Sequence, residues 1–294
     1  MNQHRFEGRV AVVTGAGRGI GRAYALLLAD RGASVVVNDL GSSMEGEGVD
    51  AGPASTVAAE IVDAGGVAIA DKSDVATESG AQALVDAAVE QFGRIDILVN
   101  NAGIIRWAGF PEADADNLER HLAVHVNGSF NTTRAAWPHM VEQRYGRVVM
   151  TTSAGLFGLP TNLSYATAKG AVIGMTRSLS TAGAKRGIKL NLIAPAAGTR
   201  MGGEGMEGMD PELVAPMVAF LAHEACPVNG EIYAAGAGRF ARIFIAQSPG
   251  YVHPTGEPTV EDVAENWATI NDETGYSVPT GLIDWSSTFM VHLR

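Results

Sequence analysis

The sequence predicts an α/β fold, a doubly wound parallel sheet flanked by helices, and three observations predict it. Short apolar runs alternate with longer helical patterns, a glycine-rich turn links the first run to the first helix, and an aspartate closes the second run. Alternation of this kind is built from strand–helix–strand units, which cover both faces of a parallel sheet with helices. Glycines between a first strand and first helix, with an acidic residue ending the second strand, are the marks of a Rossmann-type sheet.

Residues 10–13 read as the first strand and 19–31 as the first helix, followed by a strand at 34–37, a helix at 54–64, a strand at 67–70, a helix at 81–92 and a strand at 95–99. Beyond Asn100 come a long helical region at 116–143, a strand at 147–151, a helix at 164–185 and a strand at 188–193, giving roughly six parallel strands. The expected division is a dinucleotide-binding catalytic domain over 1–240 and a C-terminal extension over 241–294, packed on the same domain or a neighbouring subunit. Three loops interrupt the order: a glycine-rich acidic one at 41–53, a Gly- and Met-rich one at 196–210, and one at 248–258. Loops at the carboxyl ends of strands bind ligands in such sheets, so 196–210 is read as a lid over the substrate.

With 294 residues, 46% of them hydrophobic and 18% charged, the chain can bury a full core. Its 32 acidic and 21 basic residues leave a net charge of -11, against a nucleic-acid footprint or a basic membrane-binding face. A single cysteine, Cys226, excludes an intrachain disulfide and a cysteine-cluster metal site, and is read as a buried small hydrophobe. The polar stretch 1–9 lacks the apolar run of a signal peptide, and no stretch reaches the ~18 apolar residues of a membrane span, so a cytoplasmic protein is expected.

The chemistry is carried by Tyr165 and Lys169, four apart on a predicted helix. That spacing sets a phenol and an ammonium on one face, where the positive charge favours phenolate and makes tyrosine a usable base for hydride transfer. Gly15, Gly19 and Gly21 permit a tight turn and let backbone approach a pyrophosphate at the helix N-terminus. Asp39 would accept from the adenosine ribose hydroxyls and repel the extra phosphate of NADP, so NAD is the expected cofactor. Arg18, inside the turn, is the opposing feature, since an arginine could meet a 2′-phosphate. His121 and His125 have the spacing of a metal pair, but Leu122 stands where a zinc-protease motif needs glutamate; they read as helix-surface residues, and no metal is expected. Thr259 and Asp262 read as a helix cap.

Taken together, Thr14 to Gly21, Asp74-Val75, Asn100-Asn101-Ala102-Gly103, Asn127, a hydroxyl at Thr152 or Ser153, Tyr165-xxx-Lys169, and Pro195 with Thr199 resemble the short-chain dehydrogenase/reductases along most of the chain. The resemblance implies a cofactor site of Gly15, Arg18, Gly19, Ile20, Gly21, Asp39, Asp74, Val75, Asn101, Ala102, Gly103, Tyr165, Lys169, Pro195, Gly198 and Thr199. It also implies a catalytic set of Asn127, Ser153, Tyr165 and Lys169, in which Asn127 bends its helix and anchors a water reaching Lys169. The serine's place is open: spacing back from Tyr165 points to Thr152, and counting along the strand points to Ser153, the choice made here. Val35 to Gly41, Phe92 to Asp96, Thr133 to Trp137 and Asn266-Trp267 are similar, more narrowly, to the dehydrogenase part of peroxisomal multifunctional enzymes of type 2. That similarity implies an NAD-dependent dehydrogenase for 3-hydroxyacyl-CoA or 17β-hydroxysteroids, in a dimer or tetramer. A short-chain dehydrogenase for another apolar alcohol or ketone, or a non-catalytic dinucleotide-binding scaffold, are the alternatives.

Overall fold

A computed structural model describes residues 4–199, 207–254 and 256–293. The chain divides into two compact units, Met1–Arg242 and Ile243–Arg294. The first is organised on a sheet of eight strands in the order β3-β2-β1-β4-β5-β6-β7-β8. These are β1 (Val10–Thr14), β2 (Ser34–Asn38), β3 (Val67–Asp71), β4 (Ile97–Asn100), β5 (Gly146–Thr151), β6 (Ile188–Pro195), β7 (Ile232–Gly236) and β8 (Arg239–Ile243). Strands β1 to β7 run parallel, with Val12 beside Val36 and Leu98, and Val149 beside Asn191. β8 returns after only Ala237 and Gly238, both at positive φ (50° and 72°), a two-residue connection that only an antiparallel neighbour permits.

Every residue of β1, β4 and β5 is buried, and their centres, 10–13, 97–99 and 148–150, are unbroken apolar runs. The helices that cover the sheet are α1 (Gly19–Asp30), α2 (Gly52–Asp63), α3 (Glu78–Phe92), α4 (Ala115–His121), α5 (Gly128–Gln143), α6 (Leu163–Gly183) and α7 (Ala215–Ala222). α1 turns Ala23, Tyr24, Ala25 and Leu28 inward, and these meet Val35, Val218, Leu221 and Cys226 in one core. Thr77 begins α3 by accepting from the Gly80 amide (3.0 Å), and Gly93, at φ 77°, ends it in the left-handed conformation that glycine adopts without strain.

Two sequence expectations need correction. β7 adds a seventh parallel strand to the six predicted, and β8 an antiparallel one. The single helical region expected at 116–143 is two helices, α4 and α5, joined by a π-helical turn, Leu122–Asn127. A π turn adds a residue to the helical repeat and rotates every side chain after it.

The second unit holds α8 (Val260–Glu265), α9 (Trp267–Ile270) and α10 (Leu282–Phe289), with an antiparallel bridge between Gln247 and Ser277. Thr259 accepts from the Asp262 amide and Asp262 from the Thr259 amide, so the two form a reciprocal cap on α8. Trp285 stacks on Phe289 along α10, with ring centroids 4.8 Å apart. No helix among the described residues is long and apolar enough to cross a membrane.

Candidate active site

The chain leaves β3 at one edge of the sheet and re-enters at β4 beside β1, so connections depart in opposite directions from β1 and β4. A crevice opens at the carboxyl ends of two such strands, and here it is a cavity of about 820 Å³. Its floor is two turns bolted together. Thr14 Oγ1 accepts from the amides of Asn101 and Ala102, at 3.0 Å each, and Asn101 Nδ2 donates to the carbonyls of Thr14 (3.0 Å) and Gly15 (3.1 Å).

That closeness explains the glycines. A Cβ on Gly15, whose φ is 63°, would lie 2.8 Å from Ala102 Cα, and one on Gly21 would collide with the Gly15 carbonyl oxygen. Gly21 is therefore a packing residue beneath the turn, while Gly15, Arg18, Gly19 and Ile20 line the cavity at the amino end of α1. Asp39, just beyond β2, also lines it and accepts from the Gly17 amide (2.8 Å) and the Gly41 amide (2.7 Å). The Arg18 guanidinium reaches the Ser42 carbonyl at 3.5 Å. Asp74 and Val75 follow β3 into the wall, Asn101, Ala102 and Gly103 follow β4, and Pro195 ends β6 with Gly198 and Thr199 after it. Residues 200–206 of the expected lid at 196–210 lie outside the described residues; at its flanks Gly198 N donates to Met209 O at 2.6 Å.

Ser153, Tyr165 and Lys169 line the same cavity. α6 carries Tyr165 and Lys169 one turn apart, with Lys169 Nζ 5.6 Å from the phenol ring centre. Lys169 is buried, and its ammonium donates to Thr151 O at the end of β5 (2.9 Å). With no carboxylate beside it, burial pulls its pKa from 10.5 down to about 7. Burial pushes the Tyr165 phenol up, and a hydrogen bond with the Ser153 hydroxyl pulls it back. Thr152 is turned away: its hydroxyl donates to the Lys169 carbonyl at 2.9 Å and is fully buried. Geometry thus gathers Ser153, Tyr165 and Lys169 and gives Thr152 a packing role.

Asn127 is not gathered with them. It ends the π turn, is exposed, and does not line the cavity. The residue brought to the site instead is His125, two positions earlier. Sequence reasoning placed His121 and His125 on a helix surface, but both are buried, at 0% and 2% exposure. Their rings stack 5.9 Å apart, and each meets Tyr165 edge-on, His125 at 5.3 Å and 89°. His121 Nδ1 lies 2.7 Å from Asn117 O and its Nε2 accepts from Arg106 N at 3.2 Å; His125 Nε2 lies 2.8 Å from Ile104 O. Burial lowers the pKa of both. The i, i+4 spacing was the available signal, pointing to one shared face rather than to solvent.

A dinucleotide-type crevice joined to a serine–tyrosine–lysine group defines an oxidoreductase of the Rossmann class. Residues 9–204 match the short chain dehydrogenase family, and the chain belongs to it. It is 44% identical over 276 residues to a short-chain type dehydrogenase/reductase of Mycobacterium tuberculosis, covering 92% of this chain and 96% of that one. It is also 44% identical over 283 residues to the mouse peroxisomal multifunctional enzyme type 2, covering 94% of this chain but 38% of that protein. Among solved structures, full-length peroxisomal multifunctional enzyme type 2 of Drosophila melanogaster matches 98% of the chain and half of its own length, at a TM-score of 0.82 and 33% identity.

Proposed function

We propose that the protein is an NAD-dependent dehydrogenase of secondary alcohols, acting on 3-hydroxyacyl-CoA thioesters or 17β-hydroxysteroids. One observation carries the reading: Ser153, Tyr165 and Lys169 share a single cavity with the glycine turn and Asp39. The residues fit a dinucleotide. Side chains are excluded at Gly15 and Gly21, the amino end of α1 faces the cavity, and a carboxylate closes β2 where ribose hydroxyls need acceptors. Ile104, Ile105, Trp107 and Leu159 on the walls suit an apolar alcohol. A relative in Neurospora crassa named hydratase-dehydrogenase-epimerase (42% identical over 291 residues) supports the dehydrogenase activity.

Bound NAD would supply the hydride acceptor. In the oxidation direction Ser153 holds the substrate oxygen and Tyr165 takes its proton as the base. A phenol ordinarily ionises near pH 10, and burial here raises it, so proton transfer depends on positive charge brought to the ring. Lys169, poised near neutrality, can hold that charge or pass a proton on. Cytoplasmic location and assembly into an oligomer complete the proposal.

The test is NADH formation by the purified protein on 3-hydroxyacyl-CoA thioesters, 17β-hydroxysteroids and simple secondary alcohols. Tyr165→Phe is expected to cut turnover on the accepted substrate by about 10²–10⁴-fold while NAD still binds. Binding of NAD with no turnover across the panel, or unchanged turnover in the variant, overturns the reading.

A further inference from the structure

The loop that follows β2 reaches across the sheet. Asp50 N donates to Leu40 O at 2.9 Å, and a Cβ on Gly41 would collide with the Asp50 carbonyl oxygen, so residues 41–50 form a compact loop with a closed neck. The Ser43 hydroxyl shapes the tip by accepting from the amides of Glu45 (3.2 Å) and Glu47 (3.3 Å). From that tip Met44 O accepts from Ile105 N, beyond β4, at 2.9 Å. Gly46 packs on the same anchor, since a Cβ there would lie 3.0 Å from Ile104 Cγ2. β1 stands between β2 and β4 in the sheet. A loop that starts at the end of β2 and is tied beyond β4 therefore crosses the carboxyl end of β1, where the glycine turn begins.

Loop and turn bound the same cavity. Ser42, Ser43 and Gly46 line it from the loop, Gly15, Arg18 and Gly19 from the turn, and Ile104 and Ile105 from the anchor. Ile104 and Ile105 are buried, whereas Ser43, Glu45 and Glu47 are exposed, so the anchor is fixed in the wall and the loop is the side that can move. A backbone hydrogen bond contributes little net in water, and a tie of that kind opens and re-forms. We propose that residues 42–46 are a strap across the coenzyme site. A dinucleotide enters when the Met44–Ile105 hydrogen bond opens, lies beneath the strap once bound, and leaves only through the same opening. The inference rests on the reading of this cavity as a dinucleotide site. It is independent of hydride transfer, because no part of it involves Tyr165 or Lys169.

Binding and release of NADH by the full chain, followed through its fluorescence in stopped flow, read the strap without any turnover. Replacing residues 42–48 by Asn-Gly removes the span and keeps the neck, since a short turn can join Gly41 to Val49 where Leu40 and Asp50 are already hydrogen-bonded. Ser43→Ala keeps the length and loosens the tip. The shortened chain is expected to release NADH roughly tenfold or more faster than wild type, and to bind it faster as well, because a barrier in the path slows both directions. S43A is expected to speed release about threefold, and it decides the matter should the shortened chain not fold. Release within about twofold of wild type in the variants that fold overturns the strap. Faster release with an unchanged binding rate also overturns it, by reducing residues 42–46 to ordinary contacts. Failure of the wild type to bind NADH at all sinks the coenzyme reading and the strap together, whereas NADH bound by wild type and released at the same rate by the variants sinks the strap alone.

Discussion

Asp96 and Lys169 are both buried charges of the same domain, one at the amino edge of the parallel strands and one at the carboxyl edge, and the two edges treat them in opposite ways. Asp96 accepts from Arg9 (3.0 Å), from two nitrogens of Arg94 (2.7 and 2.6 Å) and from the Val10 amide (3.0 Å). Arg9 and Arg147 also lie over the Tyr145 ring, 3.7 and 4.4 Å from its centre. Lys169 has one carbonyl and no carboxylate. A charge kept for structure is surrounded by partners, because each unmet hydrogen bond costs stability. A charge kept for chemistry is left with unused capacity, and its perturbed pKa is the trace of that.

The comparison can be broken most directly at Asp96. Asp96→Ala leaves Arg9 and Arg94 without their shared carboxylate and is expected to cost about 3–5 kcal/mol in urea unfolding, with kcat per folded molecule unchanged. A loss below about 1 kcal/mol would put Asp96 in the same class as an exposed pair. Lys169→Met should do the reverse, abolishing turnover while stabilising the fold. The folded-state pKa of Lys169 lies below the unfolded value of 10.5, at about 7. Its unfolded form therefore binds the proton first, and stability falls as pH drops from about 10.5 toward 7, by up to roughly 1.4 kcal/mol per unit. Unfolding measured from pH 7 to 10 should show the wild type gaining on K169M as pH rises; parallel curves would mean Lys169 is not paying for its burial. The smallest effect belongs to the surface. Glu60, which meets Arg22 at 2.5 Å with both side chains over a third exposed, should cost less than about 1 kcal/mol on substitution by alanine.

How much of this was legible in the sequence depends on whether a residue answers to its neighbours in the chain or to neighbours in space. The runs Val10–Thr14 and Ser34–Asn38 are buried on both faces and announce themselves as unbroken apolar stretches. Ile232–Gly236 carries Tyr233, two alanines and a glycine, too small and mixed a run to separate from a loop. The π turn leaves no local mark, since Leu122–Asn127 has ordinary helical residues and its extra residue shows only in side-chain direction. Within that turn His125 meets Tyr165 and lines the cavity, and Asn127 does not line it. Burial of His121 and His125 likewise comes from the loop after β4, where Arg106 meets His121 from 15 positions away and Ile104 meets His125 from 21. The choice between Thr152 and Ser153 depends in the sequence on a loop length, whereas in space the Thr152 hydroxyl turns to Lys169 O and Ser153 lines the cavity with a hydrogen bond to Tyr165.

Asp39 has a consequence for any attempt to redirect coenzyme choice. Its two carboxylate oxygens already tie the Gly17 amide of the first turn to the Gly41 amide that begins the next loop. On the proposed NAD reading, exchange for a neutral residue to admit a 2′-phosphate would remove electrostatic repulsion and, in the same stroke, untie the glycine turn from the segment that borders it. On that reading one side chain carries both coenzyme choice and turn rigidity, so a switch of coenzyme has to rebuild the tether at Gly17 and Gly41 along with the charge.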